Sequence, residues 1–108
     1  MCGLSELESA LQQTAQDIQS LRQQTANIAS QLREYQTTVE ALEEQADDKA
    51  VYRQIGGVLL EVSDRESLKL ELEQSIETLS EHLERLGSKE RELRQVYDEL
   101  VKSVEESA

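Results

Sequence analysis

A chain of 108 residues with three Tyr, no Phe and no Trp lacks the bulky side chains that fill a compact globular core, so a self-contained monomer is excluded as the first reading. Its net charge of -12 is carried along the whole length, with no basic patch to displace counterions from phosphates or to sit on an anionic bilayer. Nucleic acid and membrane are therefore not expected as partners. The absence of Pro, together with abundant Ala, Glu, Leu and Gln, argues for long helices rather than disorder.

Cys2 is the only cysteine, so neither an intrachain disulfide nor a cysteine metal cage can form, which fits a reducing, cytoplasmic setting. An amino-terminal cysteine nucleophile would need a surrounding enzyme fold that nothing downstream supplies. Cys2 reads as an exposed, incidental thiol. No apolar stretch is long enough for a signal peptide or a membrane span.

The first helical pattern starts at Leu4. Alternating steps of three and four reach Leu7, Leu11, Thr14, Ile18, Leu21, Thr25, Ile28, Leu32, Tyr35, Val39, Leu42 and Ala46 without a stutter, the a/d seam of a coiled coil. Off the seam the apolar residues are mainly alanines, so the stripe is narrow and serves one partner helix. At about 1.5 Å per residue such a helix runs roughly 60 Å.

Val51, Tyr52, Ile55, Val58, Leu59, Leu60 and Val62 form a run of strand formers around Gly56-Gly57. Glycine accepts positive φ without steric cost, so the pair predicts a β-hairpin closed by a two-residue type I′ turn. Asp47 and Asp48 end the first helical pattern, and Ser63-Asp64-Arg65-Glu66 offers a capping box for the second. A two-stranded ribbon is marginal alone and seeks further strands. The segment therefore predicts assembly with other chains.

The second helical pattern places Leu72, Ile76, Leu79, Leu83, Leu86, Glu90, Leu93, Tyr97, Leu100 and Val104 on its seam. Glu90 alone breaks it, and antiparallel pairing through the hairpin sets it opposite the Leu21 to Ile28 stretch. Two readings stay open there: a polar residue that fixes register at a cost in stability, or a loose level beside Gly87. Leu68 and Leu70 add apolar bulk near the hairpin. Val96 and Val101 widen the carboxy-terminal end, which should lie beside Leu4, Leu7 and Leu11. His82 falls beside the seam and the recurrent glutamates have no apolar pocket around them, so no catalytic, cofactor-binding or metal-binding residue is expected, and no enzyme.

The architecture predicted is thus mainly α: a long antiparallel two-helix coiled coil joined by a central β-hairpin. One domain spans 1–108, with helix over 1–46, hairpin segment over 47–64 and helix over 65–108. On the block Val51-Tyr52-Arg53-Gln54-Ile55-Gly56-Gly57-Val58-Leu59-Leu60, extended by Ser63-Asp64, Leu72 and Ile76-Glu77-Thr78-Leu79, the chain resembles the β-type subunits of prefoldin, with features of both archaeal and eukaryotic ones. The resemblance implies a heterohexamer with α-type and other β-type subunits, whose hairpins build a β-barrel body. It also implies that coiled-coil tips hold unfolded client proteins, without ATP or any other cofactor, for transfer to a group II chaperonin.

Under that resemblance the assembly residues would be Val51, Tyr52, Ile55, Gly56, Gly57, Val58, Leu59, Leu60, Val62, Leu68 and Leu70. The client-binding residues would be Leu4, Leu7, Leu11, Val96, Tyr97, Leu100, Val101 and Val104. Two alternatives remain beside it: a prefoldin-like subunit of an assembly that is not a chaperone, and a structural coiled-coil scaffold.

Overall fold

A computed structural model describes residues 3–107. Cys2 lies outside the described residues. Two long helices, α1 (Gly3–Glu44) and α2 (Arg65–Ser107), carry between them an antiparallel hairpin of β1 (Tyr52–Ile55) and β2 (Val58–Glu61). The expected mainly α architecture with its central hairpin is therefore present. The described residues form two compact units, one made of those up to Ile28 with those from His82 onward, the other of Ala29–Glu81.

In the first unit the seam read from the sequence is the buried stripe. Thr14, Ile18, Leu21 and Leu86 are buried, and Leu7, Leu11, Thr25, Ile28, Leu83, Glu90, Leu93, Tyr97, Leu100 and Val104 are half-buried. Each seam threonine solves its own polarity locally. The Thr14 hydroxyl donates to the carbonyl of Ala10 at 2.8 Å and that of Thr25 to Leu21 at 2.9 Å, so neither hydroxyl needs a partner on the other helix. The helix continues through Gly87.

The second unit holds the hairpin. Its α1 portion buries Leu42 and half-buries Leu32 and Val39, while its α2 portion half-buries Leu72, Ile76 and Leu79. Tyr35 stays exposed despite its seam position, because its ring borders an open groove described below. α1 stops at Glu44, two residues before the expected Ala46, where Asp47 and Asp48 disfavour continuation.

The start of α2 differs from the expected capping box by one residue. Asp64, not Ser63, is the cap: its Oδ1 accepts from the backbone N–H of Ser67 at 3.1 Å, and its carbonyl takes the first helical bond from Leu68 at 3.2 Å. A carboxylate at that position also answers the positive end of the helix dipole, which a serine hydroxyl does more weakly. The shift puts Arg65 in the first helical turn.

Candidate functional site: the hairpin surface

The hairpin register pairs Tyr52 with Glu61, Arg53 with Leu60, Gln54 with Leu59 and Ile55 with Val58. The Val62 N–H donates to the carbonyl of Val51 at 2.8 Å and carries the ladder one step further. Because side chains alternate along a strand, Arg53, Ile55, Val58 and Leu60 share one face while Tyr52, Gln54, Leu59 and Glu61 share the other.

The turn is of a different type from the one expected. Only Gly56 has positive φ, at 60°, whereas a type I′ turn requires it at both central residues. One left-handed residue at the first central position is the pattern of a type II′ turn, which gives an equally good match to strand twist. Gly56 is thus the glycine the turn needs.

Every residue of both strands is exposed. Tyr52, Ile55, Val58, Leu59 and Leu60 keep between 48% and 65% of their surface in contact with solvent, the two extremes being Leu60 and Leu59. This apolar surface occurs on both faces of the ribbon, and each strand also has one open edge. Of the other residues expected to serve assembly, Val51, Val62 and Leu68 are half-buried, and Leu70 projects from the outer side of α2 at 59% exposure. The ribbon thus combines dense exposed apolar surface with backbone donors and acceptors that no other described strand pairs.

Three further features hold this surface in place. Arg53 reaches from β1 to α2 and donates both terminal nitrogens to Glu71, each at 3.4 Å, a fork matched to a carboxylate. Lys69 pairs with Glu43 at 3.2 Å, and that hydrogen bond together with the charge of Glu43 raises the ammonium pKa above its ordinary 10.5. Arg65 donates to the carbonyls of Gln45 at 3.3 Å and Ala46 at 2.9 Å, and to that of Lys49. It gathers the end of α1 and the segment that follows onto the first turn of α2.

Beside the ribbon lies an open groove of about 520 Å³, lined among others by Tyr35, Thr38, Leu42, Tyr52, Leu68 and Leu72. The sequence marks Tyr35 only as a seam residue and Arg65 only as part of the capping box. Tyr35 gave the signal of an aromatic on an otherwise aliphatic seam, but an arginine clamping carbonyls some twenty residues away leaves no local pattern.

The residues expected to contact clients all fall in the other unit. Leu4 and Val96 are exposed there, whereas Leu7, Leu11, Tyr97, Leu100, Val101 and Val104 are half-buried. In the same unit Glu90 is partnered on both sides. Its Oε2 lies 3.6 Å from Nε of Arg22 and 3.4 Å from Nε of Arg94, which confirms the expected level, since Arg22 falls within the Leu21 to Ile28 stretch. Among the described residues no helix is long and apolar enough to cross a membrane.

Comparison with known proteins gives a consistent result. Residues 5–107 match the family model described as prefoldin subunit. Over 97 residues the chain is 32% identical to prefoldin subunit beta of Methanosarcina acetivorans, spanning 90% of this chain and 82% of that protein. With prefoldin subunit beta of Thermoplasma volcanium the identity is 30% over 107 residues, 93% of this chain and 86% of the relative. The crystal structure of the prefoldin beta subunit from Thermococcus strain KS-1 has the same fold, with a TM-score of 0.86 over 96% of this chain and 90% of that one at 24% identity.

Proposed function

The chain belongs to the prefoldin family, whose role is of the chaperone type, and on that premise we propose that it is a β-type subunit of a heterohexamer that holds unfolded proteins. The observation that carries this reading is the hairpin: five large apolar side chains on a two-stranded ribbon with both edges open. Burying a leucine or isoleucine fully is worth about 1.5–3 kcal/mol. Side chains left half or more in solvent still have much of that to gain, and strand pairing with neighbouring hairpins supplies it while satisfying the edge backbone groups. α-Type and other β-type subunits are the natural source of those strands.

Client holding belongs to the unit formed by the residues up to Ile28 and those from His82 onward. Leu4 and Val96 offer exposed apolar surface there, with Leu7, Leu11, Tyr97, Leu100, Val101 and Val104 behind them in reach through small motions of the terminal turns. Such a surface grips unfolded chains through their apolar side chains and needs neither ATP nor a metal. Release to a group II chaperonin in the cytoplasm completes the role.

The experiment mixes this chain with an α-type prefoldin subunit and follows native mass together with aggregation of a chemically denatured test protein. A heterohexamer that suppresses aggregation is expected, with assembly abolished by Leu59→Glu, which places a charge on the strand surface that assembly would bury. A hexamer that fails to suppress aggregation would make the chain a subunit of an assembly with another task. A stable dimer indifferent to the α-type subunit and to Leu59→Glu would leave only a coiled-coil scaffold. Removing residues 1–11 and 96–108 separates the two surfaces, since assembly should persist and holding should be lost.

A further inference from the structure

From Leu72 to Val104 Glu90 is the one charged residue on the seam of α2, and its side chain is only 24% exposed. A carboxylate placed there loses hydration that leucine would not need, so the position lowers stability unless the charge is answered. Two arginines answer it, Arg22 from α1 and Arg94 one turn along α2, both through Nε to the same Oε2. The guanidinium of Arg94 travels with Glu90 in any pairing. That of Arg22 is present only in one.

The sequence of α1 makes this selective. With Leu4 at a, the e positions that flank the seam are Glu8, Ala15, Arg22, Ala29, Gln36 and Glu43, and the g positions are Ala10, Asp17, Gln24, Gln31, Thr38 and Gln45. Arg22 is the sole cation among them. Arg33, the other basic residue of α1, sits at a b position and faces away from the seam. A slide of one heptad puts Ala15 or Ala29 where Arg22 stands, and the apolar seam residues would tolerate either slide, because leucine, isoleucine and valine repeat along it.

We infer that the Glu90, Arg22 and Arg94 cluster is a register lock, which selects one alignment of the two helices in this unit by penalising the neighbouring ones. The apolar seam supplies affinity between the helices and discriminates poorly between heptads. The half-buried carboxylate supplies discrimination, since in every alternative alignment it loses its cross-helix partner. The lock therefore trades thermal stability for uniqueness.

The test uses the full chain, with Cys2→Ser, Ser20→Cys and Glu92→Cys carrying spin labels at outward positions, diluted into unlabelled chain so that only intrachain distances are read whatever the chain's oligomeric state. With the cluster intact a single narrow distance is expected. Glu90→Leu should raise the thermal midpoint while broadening the distribution or adding a population a few Å longer, because a one-heptad slide of about 10 Å along the axis runs perpendicular to the line between labels at one level. Glu90→Arg should broaden it and lower the midpoint, and the triple exchange Arg22→Glu, Glu90→Arg, Arg94→Glu should restore a single distance. Arg33→Ala, outside the cluster, should change neither readout. A single unchanged distance in both Glu90→Leu and Glu90→Arg overturns the inference, as does a triple exchange that leaves the broadening of Glu90→Arg in place.

Discussion

Replacing Arg65 by alanine removes the three hydrogen bonds that tie the end of α1 and the residues after it to the first turn of α2. All three are solvent-exposed, so water competes for the released carbonyls and each bond is worth the lower part of the usual net range, about 0.5–1 kcal/mol. The sum is roughly 2 kcal/mol of local stability, which corresponds to about 30-fold in an opening equilibrium. Amide hydrogen exchange reads that directly. The N–H groups of Lys49, bonded to Ala46, and of Val62, bonded to Val51, should exchange about 30-fold faster in Arg65→Ala, while amides near Leu21 and Leu86 keep their rates. Arg65→Lys should recover only part of the protection, because one ammonium cannot present the planar fork that spans three carbonyls. Unchanged exchange at Lys49 and Val62, or full recovery with lysine, would refute the clamp.

Other outcomes follow from burial, turn geometry and charge. Leu21, at 6% exposure, is the most buried apolar residue of the first unit, and Leu21→Ala should cost about 2–4 kcal/mol in chemical denaturation, against under about 1 kcal/mol for Leu70→Ala on the outer side of α2. Gly56→Ala should destabilise by about 1–2 kcal/mol through its left-handed backbone alone, since a Cβ there would meet nothing within 4 Å. Gly57→Ala should be neutral or slightly stabilising, and equal costs at the two glycines would return the turn to type I′. Lys69 has its pKa raised on folding by Glu43, so its stabilisation is present in full at neutral pH and is lost as pH rises through the folded value above 10.5. The stability difference between wild type and Lys69→Met should therefore vanish in strongly alkaline buffer and be constant between pH 7 and 9.

Steps of three and four along the chain were enough to identify the buried stripe. Ile18, Leu21, Leu42 and Leu86 are buried where the seam put them, because a two-helix interface depends on little beyond which residues share a face. The hairpin was legible for a related reason: strand propensity and a glycine pair act locally. Its turn type was not, since types I′ and II′ differ by a flip of the peptide between Gly56 and Gly57, and a Gly-Gly pair allows both. The cap moved from Ser63 to Asp64 because two adjacent residues could both accept, and the stronger acceptor for a helix dipole prevailed. Arg65 and the pair of Arg53 with Glu71 could not be read at all, whereas the level at which Glu90 meets α1 was legible and only its partner, Arg22, was not. Each joins residues far apart in sequence, and long side chains leave no periodic trace.

The bare ribbon also bears on how the chain is made. Five exposed apolar side chains and two open strand edges are a template for edge-to-edge pairing. A copy synthesised in excess of its companions is itself a candidate for edge-to-edge aggregation, the fate the complex would guard others against. If neighbouring hairpins cover the ribbon as proposed, the supply of this chain would have to keep pace with theirs.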